Sequence, residues 1–256
     1  MRTKTHNMFS LFTKKEKLRN YLEGFVDIHN HVLPGIDDGA STVEDSLDLI
    51  RRYQELGILE IIATPHVMND YYANTPRTID DAYQKLSLEA ANEFPQVKIR
   101  RAAEYMMDHS FLELMEKGKL LCLKENFVLV EMSYFQAPIN LNEILFQLQT
   151  QKYKPVLAHP ERYVYFHSRS LERYQLLKKH GCLFQMNILS LVGHYGRQIQ
   201  QALFELLDAE MIDFAGTDTH QTRHLEKLLD STIPAKRISQ LKPILNRTVS
   251  TFRTSS

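Results

Sequence analysis

The chain has 256 residues with 31 basic and 31 acidic side chains, so its formal net charge is zero and no overall basic field favours nucleic acid. That length suits one large α/β domain or two small ones, with room for a sizeable core. Cys122 and Cys182 are too few for a disulfide framework and read as buried thiols of a reducing, cytoplasmic compartment, while no apolar run approaches the roughly 20 residues of a membrane span.

Residues 1–23 read as an N-terminal extension, flexible or amphipathic. Met8-Phe-Ser-Leu-Phe12 followed by Lys14, Lys15 and Lys17 has the pattern of a short amphipathic helix, but no sustained apolar stretch of a secretory signal. From Phe25 the chain alternates. Apolar runs ending in polar residues recur at Phe25–His31, Leu59–His66, Val97–Glu104, Phe127–Ser133, Pro155–His159, Leu183–Asn187 and Ile212–Asp218. Their length and β-branched content predict buried strands. Between them, helical patterns cover Thr42–Gly57, Thr78–Phe94, Asn140–Gln151, Ser170–Gly181 and Arg197–Met211. The first carries a Ser41-x-x-Glu44 capping box and Gly57 as a stop. Strands followed by helices imply parallel pairing through crossover connections, as an open doubly wound sheet or a closed barrel.

The polar strand ends choose between these. His29 and His31 lie two residues apart, which in an extended chain points both imidazoles the same way. The turn Leu33-Pro-Gly-Ile-Asp-Asp-Gly39 then carries Asp37 and Asp38 back towards them. His66, Glu104, Glu131, His159 and Asp218 end later strands, and Asp218-x-His220 repeats the spacing of His29-x-His31. Ligands drawn from so many strands meet only where the strands surround a common axis, so the pattern predicts a distorted (β/α)7 barrel with its site at the C-terminal mouth. The set His29, His31, Asp38, His66, Glu104, Glu131, His159, Asp218 and His220 holds more nitrogen and oxygen donors than one ion needs. It suits two or three divalent ions such as Mn, Fe or Zn, with bridging carboxylates, and its lack of Cys argues against a structural zinc site.

The motifs Asp27-Ile-His-Asn-His31, Thr64-Pro-His66, Glu104, Glu131, His159-Pro-Glu-Arg162 and Gly216-Thr-Asp-Thr-His220 resemble those of the PHP (polymerase and histidinol phosphatase) superfamily. The longer strings His29-Asn-His-Val-Leu-Pro-Gly-Ile-Asp-Asp-Gly39 and His159-Pro-Glu-Arg-Tyr163 resemble more closely the bacterial PHP-type tyrosine-protein phosphatases of capsule and exopolysaccharide loci, the CpsB/CapC/YwqE group. The resemblance covers roughly residues 24–230 and implies a single PHP-type catalytic domain over 24–256. It implies a cytoplasmic phosphoric monoester hydrolase with three divalent ions, usually Mn or Fe. A metal-bridged hydroxide would attack phosphotyrosine on the tail of a tyrosine autokinase of polysaccharide synthesis and export.

The same resemblance groups the ligands. His29, His31, Glu104 and Asp218 would hold one ion, and Glu104 would bridge to a second held by Glu131 and His159. Asp38, His66 and His220 would hold the third, with Asp37 an adjacent alternative to Asp38. Arg162, three residues after His159, and Arg223, three after His220, are candidates to bind the phosphoryl oxygens bidentately. No general acid is assigned. The alternatives are a PHP-type phosphatase of a small metabolite such as histidinol phosphate, and a catalytically silent regulatory binding module. Cysteine-dependent chemistry is excluded, because Val128 and Ile188 stand where Cys-x5-Arg after Cys122 or Cys182 requires arginine, and no Gly-x4-Gly-Lys-Ser/Thr loop occurs. Tyr71-Tyr72 and Tyr163-x-Tyr165 read as packing or exposed loop tyrosines, with an aromatic rim around a phosphotyrosine ring as the alternative, and His167 and His194 read as solvated loop histidines.

Overall fold

The computed structural model describes residues 14–118, 120–167 and 170–254. The strand-forming runs become β1 (Lys15–Lys17), β2 (Val26–Asp27), β3 (Glu60–Ala63), β4 (His66–Val67), β5 (Lys98–Arg101), β6 (Glu104–Met106), β7 (Phe127–Glu131), β8 (Lys154–Ala158), β9 (Leu183–Asn187), β10 (Phe214–Gly216) and β11 (Thr232–Pro234). The helices are α1 (Val43–Glu55), α2 (Pro76–Glu93), α3 (Phe111–Glu116), α4 (Leu141–Thr150), α5 (Glu172–Lys179), α6 (Ile188–Leu191), α7 (Arg197–Asp208), α8 (Thr222–Asp230) and α9 (Ala235–Phe252).

The seven predicted strands are present and parallel. Strands β3 and β4 are two pieces of one run, interrupted at Thr64-Pro65, where proline has no N–H to give the ladder. Strands β5 and β6 are likewise split at Ala102-Ala103. The upper pieces join β10-β9-β8-β7-β6-β4, and the lower pieces join β2-β3-β5. Backbone bonds from Ala102 N to Ala63 O (2.7 Å) and from Glu104 N to Pro65 O (3.0 Å) carry the pairing across the break. The ring returns to its start through a parallel bridge between Asn30 and Thr219, with His31 N to Thr219 O at 2.9 Å and Asp218 N to His29 O at 2.7 Å. The result is a distorted seven-stranded barrel.

Period-2 alternation divides the core. Val26, Ile28, Ile62, Leu129, Val156, Ala158 and Phe214 form a small cluster inside the ring, closed at one end by Phe252 of α9. The larger cluster lies between strands and helices, built from residues such as Leu49, Ile50, Ile61, Val128, Val130, Leu157, Phe184 and Leu203.

The capping box of α1 sits one residue later than Ser41…Glu44. Thr42 is the N-cap, its Oγ1 accepting from Asp45 N (3.1 Å) and its own N–H donating to Asp45 Oδ2 (3.0 Å). Helix α2 starts two residues before the expected Thr78, with Pro76 in its first turn and Thr75 as cap. Helices α3, α6, α8 and α9 were not among the patterns read from the sequence. The first two are a turn or so long, too short to show a period, and α9 carries Pro243 in its interior.

Lys15–Lys17 pairs antiparallel with Thr232–Pro234, and Leu18 and Leu22 are fully buried. Met8–Phe12, where an amphipathic helix was expected, lies outside the described residues. Among the described residues, no helix is long and apolar enough to cross a membrane.

Candidate metal centre and active site

The strand ends put their polar residues at one mouth. Asp27, at the end of β2, is buried and accepts from Tyr53 Oη (2.6 Å), Thr217 Oγ1 (2.6 Å) and Thr217 N (2.9 Å), tying the first strand to the last just below the histidines. The backbones pack so closely there that a Cβ on Gly216 would lie 2.7 Å from His29 Cβ. A Cβ on Gly39 would lie 2.1 Å from His31 O, so the Pro-Gly turn can return Asp37 and Asp38 to the mouth only with glycine at 39. His159 and Asp218 both adopt left-handed backbone (φ 37° and 52°), an uncommon conformation for residues with side chains that clusters at functional sites.

Glu104 is the hub. Its Oε2 lies 3.1 Å from His29 Nε2, 3.6 Å from His31 Nε2 and 3.1 Å from His66 Nδ1, and its Oε1 lies 3.2 Å from His159 Nε2. Asp218 Oδ1 faces His29 Nε2 (3.4 Å), His31 Nε2 (3.3 Å) and His220 Nδ1 (3.5 Å). Glu131 Oε1 approaches His66 Nδ1 (2.8 Å), while Asp38 Oδ1 stands 3.5 Å from His66 Nε2 and 3.4 Å from His220 Nε2. All nine expected residues are therefore gathered at the mouth.

Four groups of donor atoms, each within 4.8 Å of one another, emerge: His31, Asp38, His66 and His220; His29, His31 and Glu104; His29, His159 and Asp218; and His66, Glu104 and Glu131. These groups differ from the expected grouping in three ways, the first being that His31 also groups with Asp38, His66 and His220. His66 faces Glu104 and Glu131 through Nδ1 as well as Asp38 through Nε2, and His159 also groups with His29 and Asp218.

The two adjacent acids separate cleanly. Asp37 Oδ2 sits 2.8 Å from His31 Nδ1 and accepts from His66 N (3.1 Å), while its Oδ1 accepts from Gly39 N (3.0 Å). It stands behind His31, whereas Asp38 faces the cavity. The sequence did not single out Gln185 or Asn187. Gln185 Oε1 lies 2.8 Å from His29 Nδ1, and Asn187 Nδ2 donates to Asp218 Oδ2 at 2.9 Å. Histidines that hold metal usually give their second nitrogen to such an acceptor, which fixes the tautomer and aims the other lone pair inward.

The donor chemistry fits divalent ions. Buried atoms left without a hydrogen-bond partner include His29 Nε2, His31 Nε2, His66 Nδ1, both Glu104 oxygens and Glu131 Oε1, all of them facing other members of the cluster. Buried polar atoms are rarely left so, and a cation among them would satisfy the set at once.

The carboxylates set the protonation of the metal-free cluster. Burial alone would lower the His66 imidazole, but Glu131 and Glu104 carry it from 6.5 up to about 9, against His31. Burial is likewise overridden at His31, held well above its ordinary value by Asp37 and Asp218, and at His29, raised by Glu104 and Asp218. His159 runs the other way, lowered by burial and by Arg162. Burial opposes ionisation of Asp38, yet His220 and His66 bring it down to about 2.

A raised histidine stabilises the fold below its unfolded value and stops doing so as pH rises through its folded value. The metal-free protein is therefore expected to lose stability between pH 6.5 and about 9 as His66 deprotonates. Over the same interval metal affinity is expected to rise, because binding must displace that proton. Thermal melts of chelated protein and calorimetric metal titrations in two buffers check both trends, and a metal affinity flat across this interval would contradict them.

The mouth opens into a cavity of about 690 Å³, whose lining includes Asp38, His66, His159, Arg162 and His220 together with Met68, Met106, Met107, Tyr72 and Tyr134. Arg162 Nη1 donates to Asp218 Oδ2 at 2.6 Å, and its guanidinium lies over Tyr195 (4.1 Å) and Tyr134 (4.7 Å). Arg223 is not brought there. It is exposed on the first turn of α8 and is absent from the cavity lining. His194 packs against His224 (4.8 Å between rings) rather than entering the cavity.

A seven-stranded parallel barrel with a buried nitrogen and oxygen cluster at its mouth places the chain among PHP-type metal-dependent hydrolases. Residues 25–235 match the family model for capsular polysaccharide synthesis, CpsB/CapC, and the chain belongs to that family. It is 31% identical over 199 residues to the tyrosine-protein phosphatase YwqE of Bacillus subtilis, a match covering 77% of this chain and 78% of that protein. It is 25% identical over 201 residues to the tyrosine-protein phosphatase CpsB of Streptococcus agalactiae, covering 76% and 82%. A crystal structure from work on YwqE and Streptococcus pneumoniae CpsB, described there as metal-dependent tyrosine phosphatases, superposes with a TM-score of 0.72 at 28% identity, covering 87% of this chain and 94% of that one. Histidinol phosphate phosphatase of Lactococcus lactis shares the fold, with a TM-score of 0.50 at 13% identity over 88% and 94% of the two chains.

Proposed function

We propose that this protein is a metal-dependent protein-tyrosine phosphatase, a phosphoric monoester hydrolase that uses no cysteine. The observation that carries this is the buried, partnerless donor set around Glu104 at a cavity whose lining includes Arg162, methionines and tyrosines. His29, His31, Asp38, His66, Glu104, Glu131, His159, Asp218 and His220 are the proposed ligands, for three divalent ions of the Mn or Fe type. Bound divalent ions would neutralise phosphoryl charge and lower the pKa of a coordinated water from 15.7 to about 7.

The chain's own groups supply the rest. Asp37 and Gln185 hold His31 and His29 in one tautomer, and Asn187 and Arg162 fix Asp218. Arg162 uses Nη1 on Asp218, and no hydrogen bond among the described residues engages its Nη2 or Nε, which we assign to the phosphoryl oxygens. The tyrosines over its faces prevent the fork from rotating. Arg223, exposed at the start of α8, is assigned an outer contact at most. A phenolate with a pKa near 10 leaves readily, so the reaction needs no strong general acid.

The family's place in capsular polysaccharide synthesis supports a natural substrate on a cytoplasmic tail of a bacterial tyrosine autokinase. The test combines metal content with steady-state hydrolysis of a phosphotyrosine peptide and of histidinol phosphate. Three ions per chain and preference for the peptide are expected. Preference for histidinol phosphate would overturn the substrate, and metal binding without turnover of either ester would overturn the enzyme.

A further inference from the structure

The cavity's apolar wall has an organisation of its own. Tyr72 stacks nearly parallel on His66, with ring centroids 5.6 Å apart and planes 13° apart. Tyr134 leans on His159 at 5.7 Å and 32°. Each ring thus abuts an imidazole of the candidate metal cluster, beside the place where a phosphoryl group would be held. Met68, Met106 and Met107 complete the wall, and thioethers suit contact with a ring.

Both tyrosines are held before any ligand arrives. The backbone N–H of Tyr72 donates to Met68 O (2.8 Å) and that of Met68 donates to Tyr72 O (3.0 Å), closing a tight turn. Tyr134 stacks on Tyr163 at 6.0 Å, and the Tyr163 hydroxyl is anchored by the backbone N–H of Met132 at 3.0 Å. A wall of rings and sulfur fixed in this way loses little freedom on binding. An alkyl phosphate would leave it in contact with water, whereas an aryl group would cover it.

We infer that Tyr72 and Tyr134 are the ring-binding residues of this site and make it select aryl over alkyl phosphate esters. The inference rests on the phosphatase reading above and adds the side chains that recognise the leaving group. Stacking on fixed aromatic rings depends on the ring and not on the hydroxyl, so phenylalanine at either position should keep the aryl-to-alkyl preference, while loss of the Tyr134 hydroxyl, 3.4 Å from His159 Nε2, would act on both esters alike.

The experiment measures kcat/KM of metal-loaded wild type, Tyr72→Ala, Tyr134→Ala, Tyr72→Phe and Tyr134→Phe on phenyl phosphate and on glycerol 2-phosphate, with metal content determined for each. The aryl-to-alkyl ratio is expected to fall about tenfold or more in each alanine variant and to stay within about threefold of wild type in the phenylalanine variants, as the loss of an aromatic contact predicts. An unchanged ratio in both alanine variants would overturn the proposal, as would an equal loss on both esters with full metal content. If wild type hydrolyses neither ester, the phosphatase reading fails by itself. Calorimetric binding of phenylphosphonate and methylphosphonate to the same proteins then decides the ring proposal, which stands only if the alanine variants lose the preference for phenylphosphonate.

Discussion

Glu104→Gln is expected to lower kcat/KM for phosphotyrosine peptide by on the order of 10³-fold or more, while the metal-free protein keeps its fold. No other carboxylate in the centre comes within 3.6 Å of four of its histidines. The amide retains one acceptor oxygen and turns the other position into an N–H2 donor facing nitrogens that need a negative or cationic partner. It cannot bridge ions as a carboxylate does. A carboxylate held well below its ordinary value by His29 and His66 despite burial stabilises the fold when ionised, so the chelated variant is expected to melt below chelated wild type. Its secondary structure should persist because Glu131 and Asp218 still face those imidazoles. Metal stoichiometry by elemental analysis and far-ultraviolet circular dichroism of the chelated variant separate the two effects. Near-normal turnover would remove Glu104, and with it the proposed ligand set, from the reaction.

Stripping the metal is expected to abolish activity reversibly and to lower the melting temperature by roughly 5–10 °C for each site emptied, relative to protein at a hundredfold excess over the dissociation constant. Binding at that excess stabilises by about 2.7 kcal/mol per site, and a domain of this size shifts by about 2–4 °C per kcal/mol. The structural reason is the strand-end cluster itself, where carboxylates and imidazoles lie buried with few partners outside the set. Differential scanning calorimetry before and after chelation, with activity restored by each candidate ion in turn, gives the answer. A chelated protein that melts at the same temperature and still turns over would defeat the metal-dependent reading.

Much of the barrel could be read from the chain because parallel strands buried on both faces are written as continuous apolar runs. The polar residue ending each run marks where the strand reaches the mouth, and all nine strand-end and turn residues converge there. What escaped depends on partners distant in sequence. Gln185 and Asn187 look like ordinary polar residues in a strand until His29 and Asp218 are seen beside them. Asp37 and Asp38 are equivalent by spacing, and only the turn of Gly39 shows one behind His31 and the other facing the cavity. Tyr134 carries no motif, and its position follows from its stacking on Tyr163. Arg223 has the spacing of a phosphate ligand, yet the first turn of α8 leaves it exposed.

The bridge between Asn30 and Thr219 has a consequence for how the protein acquires its metal during synthesis. Asp27 and Thr217, which tie the same two strands together beside the bridge, are 190 positions apart. A nascent chain therefore displays His29 and His31 long before Asp218 and His220 have left the ribosome. In that interval the pair lacks the aspartate that faces both of its imidazoles in the finished ring. The mixed set of imidazoles and carboxylates, with the selectivity its geometry allows, exists only once the last strand has docked. Choice of ion is thus a property of the finished barrel.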